Sequence, residues 1–192
     1  MLKEEILKEL RGRFAGNPLF RDEIFNTPRD FASVYHFTHE HCLDGIAREG
    51  LLPTLTVYEK NNKDYKSTLN YKVDKIFDEI APQGFSRLNS VYAHDDYYFT
   101  PHLGNGNLIL EVKIDPESAL VVDAGHFIVA RICFEKRGEV SGCEKKYWAG
   151  AMRLSDYQRL SLEEKTEKFR YPEILIPNKI APEFIKVKGI FL

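Results

Sequence analysis

Apolar residues recur every three or four positions in four stretches of the chain, which is the period of an amphipathic helix. Gly50, Pro82 and Gly138 follow three of these stretches, and glycine or proline commonly ends a helix. Ser155 and Ser161, each with a Gln or Glu three residues later, resemble capping boxes and predict two further short helices. The periodic stretches predict helices over residues 3–13, 41–49, 69–80 and 127–134.

Other stretches are rich in β-branched and aromatic residues, which favours extended structure. Their connections are too short and irregular for a repeated β-α-β winding, so the pattern predicts an α+β sandwich. Residues 137–150 have no clear period and are predicted to form a surface loop. The predicted strands cover residues 32–38, 90–99, 108–114, 120–123, 173–176 and 184–191.

Length and composition indicate a soluble globular protein. With 192 residues the chain is predicted to form a single domain over 1–192, in which residues 1–30 are an N-terminal helical extension. A formal net charge of -2 gives no general attraction to nucleic acid or anionic lipid, so a polyanion must be bound by a local patch. Three cysteines without a C-x-x-C pair argue against a disulfide framework and favour the reducing cytoplasm, with export by a route without a signal left open. No apolar run approaches the roughly 18 residues of a membrane span, so no membrane partner is expected.

Two segments far apart in the chain carry distinctive patterns. Residues 34–54, VYHFTHEHCLDGIAREGLLPT, predict a strand with a histidine, a short helix ended by glycine, and an apolar exit. Residues 171–185, YPEILIPNKIAPEFI, predict a strand whose entrance carries Glu173 between Pro172 and Ile174. A lone glutamate at a strand entrance is commonly a solvated edge residue, but an acidic side chain beside a buried apolar run favours a function.

In this order, the two segments resemble the ADP-ribosyltransferase superfamily. The resemblance implies a split β-sandwich with peripheral helices, in which NAD is clasped between two small sheets. Within the superfamily, residues 35–39 followed by Gly50-Leu51-Leu52 are most similar to the DarT group of toxins, which modify nucleic acid, and the RNA 2'-phosphotransferases share a related opening. The DarT group is generally longer, and only residues 97–102 are similar to its proline-and-aromatic block. Thymidine is therefore not assigned as the acceptor.

The resemblance also implies roles for residues of the NAD site. His36 would bind NAD by hydrogen bonding, together with its neighbours Phe37 and Thr38, because an imidazole can donate and accept near neutral pH. A core-strand histidine with a backbone partner is the alternative. Arg87 would hold the NAD phosphates or the nicotinamide end, and a surface ion pair is its alternative. Tyr92 ranks first among the strand tyrosines that would stack on nicotinamide, ahead of Tyr97 and Tyr98, with core packing as the alternative.

Glu173 is the catalytic residue that the resemblance implies, with Glu183 in reserve. Positive charge grows on the ribose as its bond to nicotinamide breaks, so a fixed carboxylate stabilises the transition state more than the ground state. At about 4 Å and an effective dielectric near 20, this attraction is on the order of 4 kcal/mol. That free energy corresponds to roughly a thousandfold in rate.

Residues 147–169 correspond in position to the substrate-recognition loop of the family. Tyr147 and Trp148 are the predicted substrate-binding residues, because an exposed Trp148 ring would stack on a flipped base; core packing is the equal alternative. Residues 57–75 interleave tyrosines with lysines and are a second candidate for nucleic-acid contact, although such a mix is commonly a solvated helix and its loop.

The leading hypothesis is an NAD-dependent ADP-ribosyltransferase that modifies single-stranded DNA or RNA and releases nicotinamide, as a toxin or a phage-conflict effector. NAD is its co-substrate, an antitoxin protein is a possible partner, and a monomer in the cytoplasm is expected. His36, His39 and His41 lack a matching ligand set beyond Cys42, so no metal is predicted. The alternatives are transfer to a protein side chain, a phosphotransferase that acts on RNA, and a non-catalytic binding or inhibitor protein on the same fold.

Overall fold

The computed structural model describes residues 2–21, 30–61, 64–95 and 107–191. The chain forms two compact units. Unit 1 comprises Met1–Leu51, Ala93–Asp115 and Ile180–Leu192, and unit 2 comprises Leu52–Tyr92 and Pro116–Lys179. Helices accompany two separate β-sheets, so the predicted α+β class is confirmed.

The described residues form the following helices and strands. The α-helices are α1 (Leu2–Arg13), α2 (Leu43–Glu49), α3 (Thr54–Lys60), α4 (Leu69–Asp78), α5 (Ala124–Arg137), α6 (Cys143–Ala149), α7 (Leu154–Arg159) and α8 (Leu162–Lys168). The strands are β1 (Ala32–Thr38), β2 (Ser90–Ala93), β3 (Asn107–Ile114), β4 (Leu120–Asp123), β5 (Met152–Arg153), β6 (Pro172–Pro177) and β7 (Ile185–Phe191). None of the described helices is long and apolar enough to cross a membrane.

Unit 1 is built on a three-stranded sheet with the order β1-β3-β7, in which both pairings are antiparallel. Its central strand β3 is buried along most of its length, as its near-continuous apolar sequence predicts. Gly50 is the C-cap of helix α2, and its φ of 80° is a conformation that glycine adopts at little cost. A Cβ atom at Gly50 would lie 1.9 Å from the carbonyl oxygen of Ile180, so this close approach requires glycine.

Unit 2 is built on the sheet with the order β2-β6-β4-β5. One hydrophobic cluster joins side chains of its strands to helices α4, α5 and α6. The cluster contains Val73, Phe77, Leu120, Val122, Ala130, Val140, Cys143, Tyr147, Trp148 and Leu175. Because side chains alternate along a strand, Leu120 and Val122 reach these helices from the same face of β4.

Most of the predicted elements are confirmed, and two expectations are wrong. Residues 137–150 are not a surface loop, because they contain α6 with two buried aromatic side chains. Ser155 is not an N-cap but lies inside α7, whereas Ser161 forms a complete capping box with Glu164. Helix α3 was not predicted separately. The predicted strand over 90–99 is observed for residues 90–93, and residues 96–99 lie outside the described residues.

Candidate active site

The C-terminal end of α4 fixes the backbone of the loop that carries Arg87. The Asp78 carboxylate accepts hydrogen bonds from the backbone N–H of Arg87 at 2.6 Å and of Leu88 at 3.2 Å. It also accepts one from the hydroxyl of Ser86. A carboxylate near the end of a helix thereby fixes three donors of an irregular loop, so the Arg87 side chain starts from a defined point.

Strand β6 brings Glu173 to the same side of the unit 2 sheet as its core. Glu173 lies opposite Val122 in the register of β4 and β6. It alternates with Ile174 and shares its strand face with Leu175, which belongs to the hydrophobic cluster. The Glu173 side chain keeps 17% of its surface exposed at this edge. The strand thus presents a partly exposed carboxylate beside an apolar core.

Arg87 and Glu173 form an ion pair within unit 2. Arg87 Nη1 donates to Glu173 Oε2 at 3.0 Å, although the residues are separated by 86 positions in the sequence. Arg87 Nη1 also contacts the hydroxyl of Tyr147, and Arg87 Nε donates to Asp74 Oδ1 at 2.7 Å. Arg87 is only 4% exposed, so its alternative interpretation as a surface ion pair is wrong.

Aromatic rings surround the Arg87 guanidinium. Its Cζ atom lies 3.8 Å from the ring centroid of Phe127 and 5.0 Å from those of Tyr92 and Tyr147. At the first distance the planar group lies against the ring, where cation–π attraction adds to the packing. The hydroxyl of Tyr92 donates to the Arg87 carbonyl oxygen. Tyr92, predicted to stack on nicotinamide, here supports Arg87.

Burial and charge act in opposite directions on the ionisable groups of this cluster. Burial alone would lower the pKa of Arg87, but the oxygens of Tyr92, Tyr147, Glu173 and Asp74 raise that pKa well above its usual value. Burial raises the pKa of Asp74, which Arg87 opposes only in part. Burial also raises the pKa values of Tyr92 and Tyr147. Around pH 7 Arg87 is therefore a permanent cation among neutral phenol groups.

The ion pair leaves two polar groups unused. Among the described residues, none accepts a hydrogen bond from Arg87 Nη2, and none donates one to Glu173 Oε1. Nη2 carries two N–H donors, and Oε1 is an acceptor on the partly exposed carboxylate. Glu173 Oε1 is suited to a ligand that carries a hydroxyl, and the N–H groups of Arg87 Nη2 are suited to one that carries an electronegative oxygen.

The two predicted substrate-binding aromatics are core residues. Trp148 is 8% exposed, and its Nε1 donates to the Phe77 carbonyl oxygen at 2.7 Å. The interpretation of Trp148 as an exposed stacking ring is therefore wrong, and its alternative of core packing is correct. Tyr147 is fully buried and contacts Arg87 rather than solvent. It is thus placed next to the ion pair and not on a recognition surface.

The predicted NAD-binding residues His36, Phe37 and Thr38 lie on β1 of unit 1. Strand alternation puts His36 and Thr38 on one face and Phe37 on the other, so the three side chains do not act from the same face. Thr38 is buried and His36 is half-buried. The Phe37 ring meets His94 edge-on, with ring centroids 5.7 Å apart. Tyr97 and Tyr98 lie outside the described residues.

The sequence analysis did not identify Asp74, Asp78 and Phe127 as residues of this site. Asp74 is 3% exposed and borders the apolar face of α4 between Val73 and Phe77. No local pattern marks Asp74, because a carboxylate beside the apolar stripe of an amphipathic helix is commonly solvated. The candidate nucleic-acid segment 57–75 is partly absorbed by the same network, because the Tyr65 hydroxyl donates to Asp74 Oδ2 at 2.7 Å. The Tyr58 ring stacks on Tyr65.

Within the described parts of the chain, no group of three His, Cys, Asp or Glu side chains is arranged to hold a metal ion. No family model and no curated protein matches the chain. The functional assignment therefore depends on the residues themselves.

Proposed function

We propose that the chain is an NAD-dependent ADP-ribosyltransferase that transfers ADP-ribose to nucleic acid and releases nicotinamide. The observation that carries the proposal is the pairing of Arg87 with Glu173 in unit 2. The two residues come from segments 86 positions apart in the sequence, and their side chains meet beside the hydrophobic cluster of unit 2. The proposed fold is the split β-sandwich of that superfamily, with which two small sheets of three and four strands are compatible.

The two unused polar groups fit NAD as a substrate. Glu173 Oε1 would accept a hydrogen bond from a ribose hydroxyl, and Arg87 Nη2 would donate to a phosphate or carboxamide oxygen. The sequence resemblance further assigns His36 and Thr38 to NAD binding. The carboxylate of Glu173 is the group that the chemistry requires, and it lies 3.0 Å from the Arg87 cation.

In the proposed reaction, the bond between the ribose and nicotinamide breaks and nicotinamide leaves with the bonding electrons. A nitrogen or oxygen of the acceptor forms the new bond to the same ribose carbon. The Glu173 carboxylate stabilises the positive charge on the ribose and takes the proton that the acceptor loses. NAD and the acceptor thus yield ADP-ribosylated acceptor, nicotinamide and one proton.

Mass spectrometry of the acceptor tests this function. The protein is incubated with NAD and single-stranded DNA or RNA oligonucleotides, and the masses of the intact oligonucleotides are measured. We expect a mass gain of one ADP-ribose unit with the wild type and none with Glu173→Gln. A second experiment adds labelled NAD and the protein to a cell lysate, with and without nuclease. If no oligonucleotide gains mass but lysate protein takes up the label in both cases, the acceptor is a protein side chain.

A non-catalytic binding protein is the second candidate. It is favoured by the engagement of Glu173 Oε2 with Arg87, because a buried ion pair also ties a loop to a strand without any chemistry. A biological effect that persists in Glu173→Gln would support this candidate. In the leading proposal, the protein is a monomeric cytoplasmic toxin or phage-conflict effector with an antitoxin partner.

A further inference from the structure

Asp74 is buried at the ion pair but has no task in the proposed chemistry. It lies on α4, is 3% exposed, and uses both carboxylate oxygens: Oδ1 accepts from Arg87 Nε and Oδ2 from the Tyr65 hydroxyl, each at 2.7 Å. A carboxylate in this position costs free energy unless it is paired, and here burial raises its pKa.

The three nitrogens of the Arg87 guanidinium are used differently. Nε is held by Asp74, Nη1 by Glu173 and Tyr147, and Nη2 by no described residue. The guanidinium Cζ atom lies over the Phe127 ring, 3.8 Å from its centroid, and this packing opposes displacement of the group toward the ring. The guanidinium can then still rotate within its own plane, and the hydrogen bond from Nε to Asp74 opposes that rotation.

This rotation decides how Arg87 meets Glu173. An arginine and a carboxylate commonly pair through two parallel hydrogen bonds, which would occupy both Glu173 oxygens. Here the pair is made through Nη1 and Oε2 alone. An arginine released from Asp74 could turn and form the two-bond pair, in which Oε1 is no longer available to a substrate.

We propose that Asp74 is a positioning residue that acts on Glu173 through Arg87. It keeps the ion pair to a single hydrogen bond and so leaves Glu173 Oε1 and Arg87 Nη2 open to the substrate. The Tyr65 hydroxyl donates a hydrogen bond to the other oxygen of Asp74, so a residue of the 57–75 segment helps to hold Asp74 within unit 2. The inference rests on the proposed function, since it assigns Oε1 to the ribose.

The kinetic test compares Asp74→Leu, Asp74→Asn and Tyr65→Phe with the wild type in nicotinamide release. We expect Asp74→Leu to lower kcat on the order of tenfold to a hundredfold with KM for NAD little changed, because the fault lies in placement of the reacting carboxylate. Asp74→Asn keeps an oxygen that accepts from Nε and should restore most of kcat. Tyr65→Phe should cause a smaller loss than Asp74→Leu.

Val73→Ala is the matched control, since Val73 is the fully buried neighbour of Asp74 on α4. It destabilises the helix packing without removing a contact to Arg87, so its kcat should equal that of the wild type. An Asp74→Leu protein with wild-type kcat overturns the inference. So does a Val73→Ala protein that loses as much kcat as Asp74→Leu at an equal loss of stability. If Asp74→Leu does not fold, Asp74→Asn and Tyr65→Phe test the inference instead. A loss of kcat in Asp74→Asn as large as that in Glu173→Gln would contradict the positioning role of Asp74.

Nitrogen-15 NMR separates this inference from the proposed function. The Nε–H proton of Arg87, whose signal is identified by its absence in Arg87→Lys, should exchange slowly with water in the wild type and in Glu173→Gln. It should exchange fast in Asp74→Leu. If the wild type releases no nicotinamide, the proposed function fails, and this signal still decides whether Asp74 fixes the guanidinium. An Nε–H signal that is unchanged in Asp74→Leu refutes that role.

Discussion

Arg87 Nη1 lies 3.0 Å from Glu173 Oε2, and the arginine of this pair is almost completely buried while the glutamate is partly exposed. The cation is therefore committed to the protein, whereas one oxygen of the anion is available at the surface. Such an asymmetric pair differs from an ordinary surface salt bridge, in which both partners are hydrated and the contribution to stability is small. The difference has consequences for stability and for function.

Removal of the arginine should strongly destabilise the protein. Arg87→Ala leaves the buried Asp74 carboxylate and Glu173 without their cation, and breaking a buried pair in this way costs about 3–5 kcal/mol. Arg159→Ala is the matched control, because Arg159 forms an exposed ion pair with Asp156, and a loss of at most about 1 kcal/mol is expected. Urea unfolding measures both. Equal losses in the two variants would contradict the structural role of Arg87.

Gly50 should not tolerate a side chain. Gly50→Ala would place Cβ 1.9 Å from the Ile180 carbonyl oxygen at a φ of +80°, so the bridge between Leu51 and Ile180 must open. This backbone conformation, with a ψ of -169°, alone costs a residue with a side chain about 1–3 kcal/mol, and the clash adds to it. Gly45→Ala, on the same helix with open space around it, should be neutral or gain up to about 1 kcal/mol. Thermal unfolding distinguishes the two, and equal midpoints would argue against this close approach.

Only one of the two serine patterns should act as a helix cap. Ser161→Ala removes the hydroxyl that accepts from the Glu164 backbone N–H and should cost about 1 kcal/mol. Ser155→Ala, inside α7, should change the free energy of unfolding by less than about 0.5 kcal/mol. A larger loss from Ser155→Ala than from Ser161→Ala would reverse the assignment.

Glu111 should make stability depend on pH in the acid range. Burial alone would raise its pKa, but the hydrogen bond from Ser33 and the charges of Lys188, Lys186 and Lys113 lower it below its ordinary value. A carboxyl whose folded pKa is lowered stabilises the protein above its unfolded pKa of about 4.3, and this contribution is lost as the pH falls through the folded pKa.

The comparison of wild type with Glu111→Gln isolates this contribution. The difference in unfolding free energy should be greatest near neutral pH and should shrink below about pH 4. Chemical denaturation at several pH values measures it. A difference that stays constant from neutral to acid pH would mean that the lysines do not act through the Glu111 charge.

The sequence predicted the strands of the fold well because β-branched runs and alternation leave a local signal. Glu173 is singled out in the sequence by its place between Pro172 and an apolar run, and Arg87 by its place before a strand, while the roles proposed for both come from the family resemblance. The helix that carries Tyr147 and Trp148 was not recognised, since α6 has only seven residues and two turns do not establish a period.

The partners of Arg87 had no comparable signal. Asp74 lies one residue from the apolar stripe of α4, and a charged residue there is ordinarily interpreted as the solvated edge of the helix. Only the contact between α4, the following loop and β6 makes it a buried ligand of the guanidinium. Contacts of this kind depend on tertiary packing, so a single sequence does not specify them.

The most direct test of the account is the initial rate of nicotinamide release from NAD in the presence of single-stranded DNA or RNA. The wild type is compared with Glu173→Gln and with Glu183→Gln, because Glu183 also follows a proline at a strand entrance but is exposed and outside the ion pair. We predict that Glu173→Gln lowers the rate about a hundredfold to a thousandfold and that Glu183→Gln leaves it unchanged. No release by the wild type, or an equal rate in Glu173→Gln, would contradict the assignment of Glu173 as the catalytic residue.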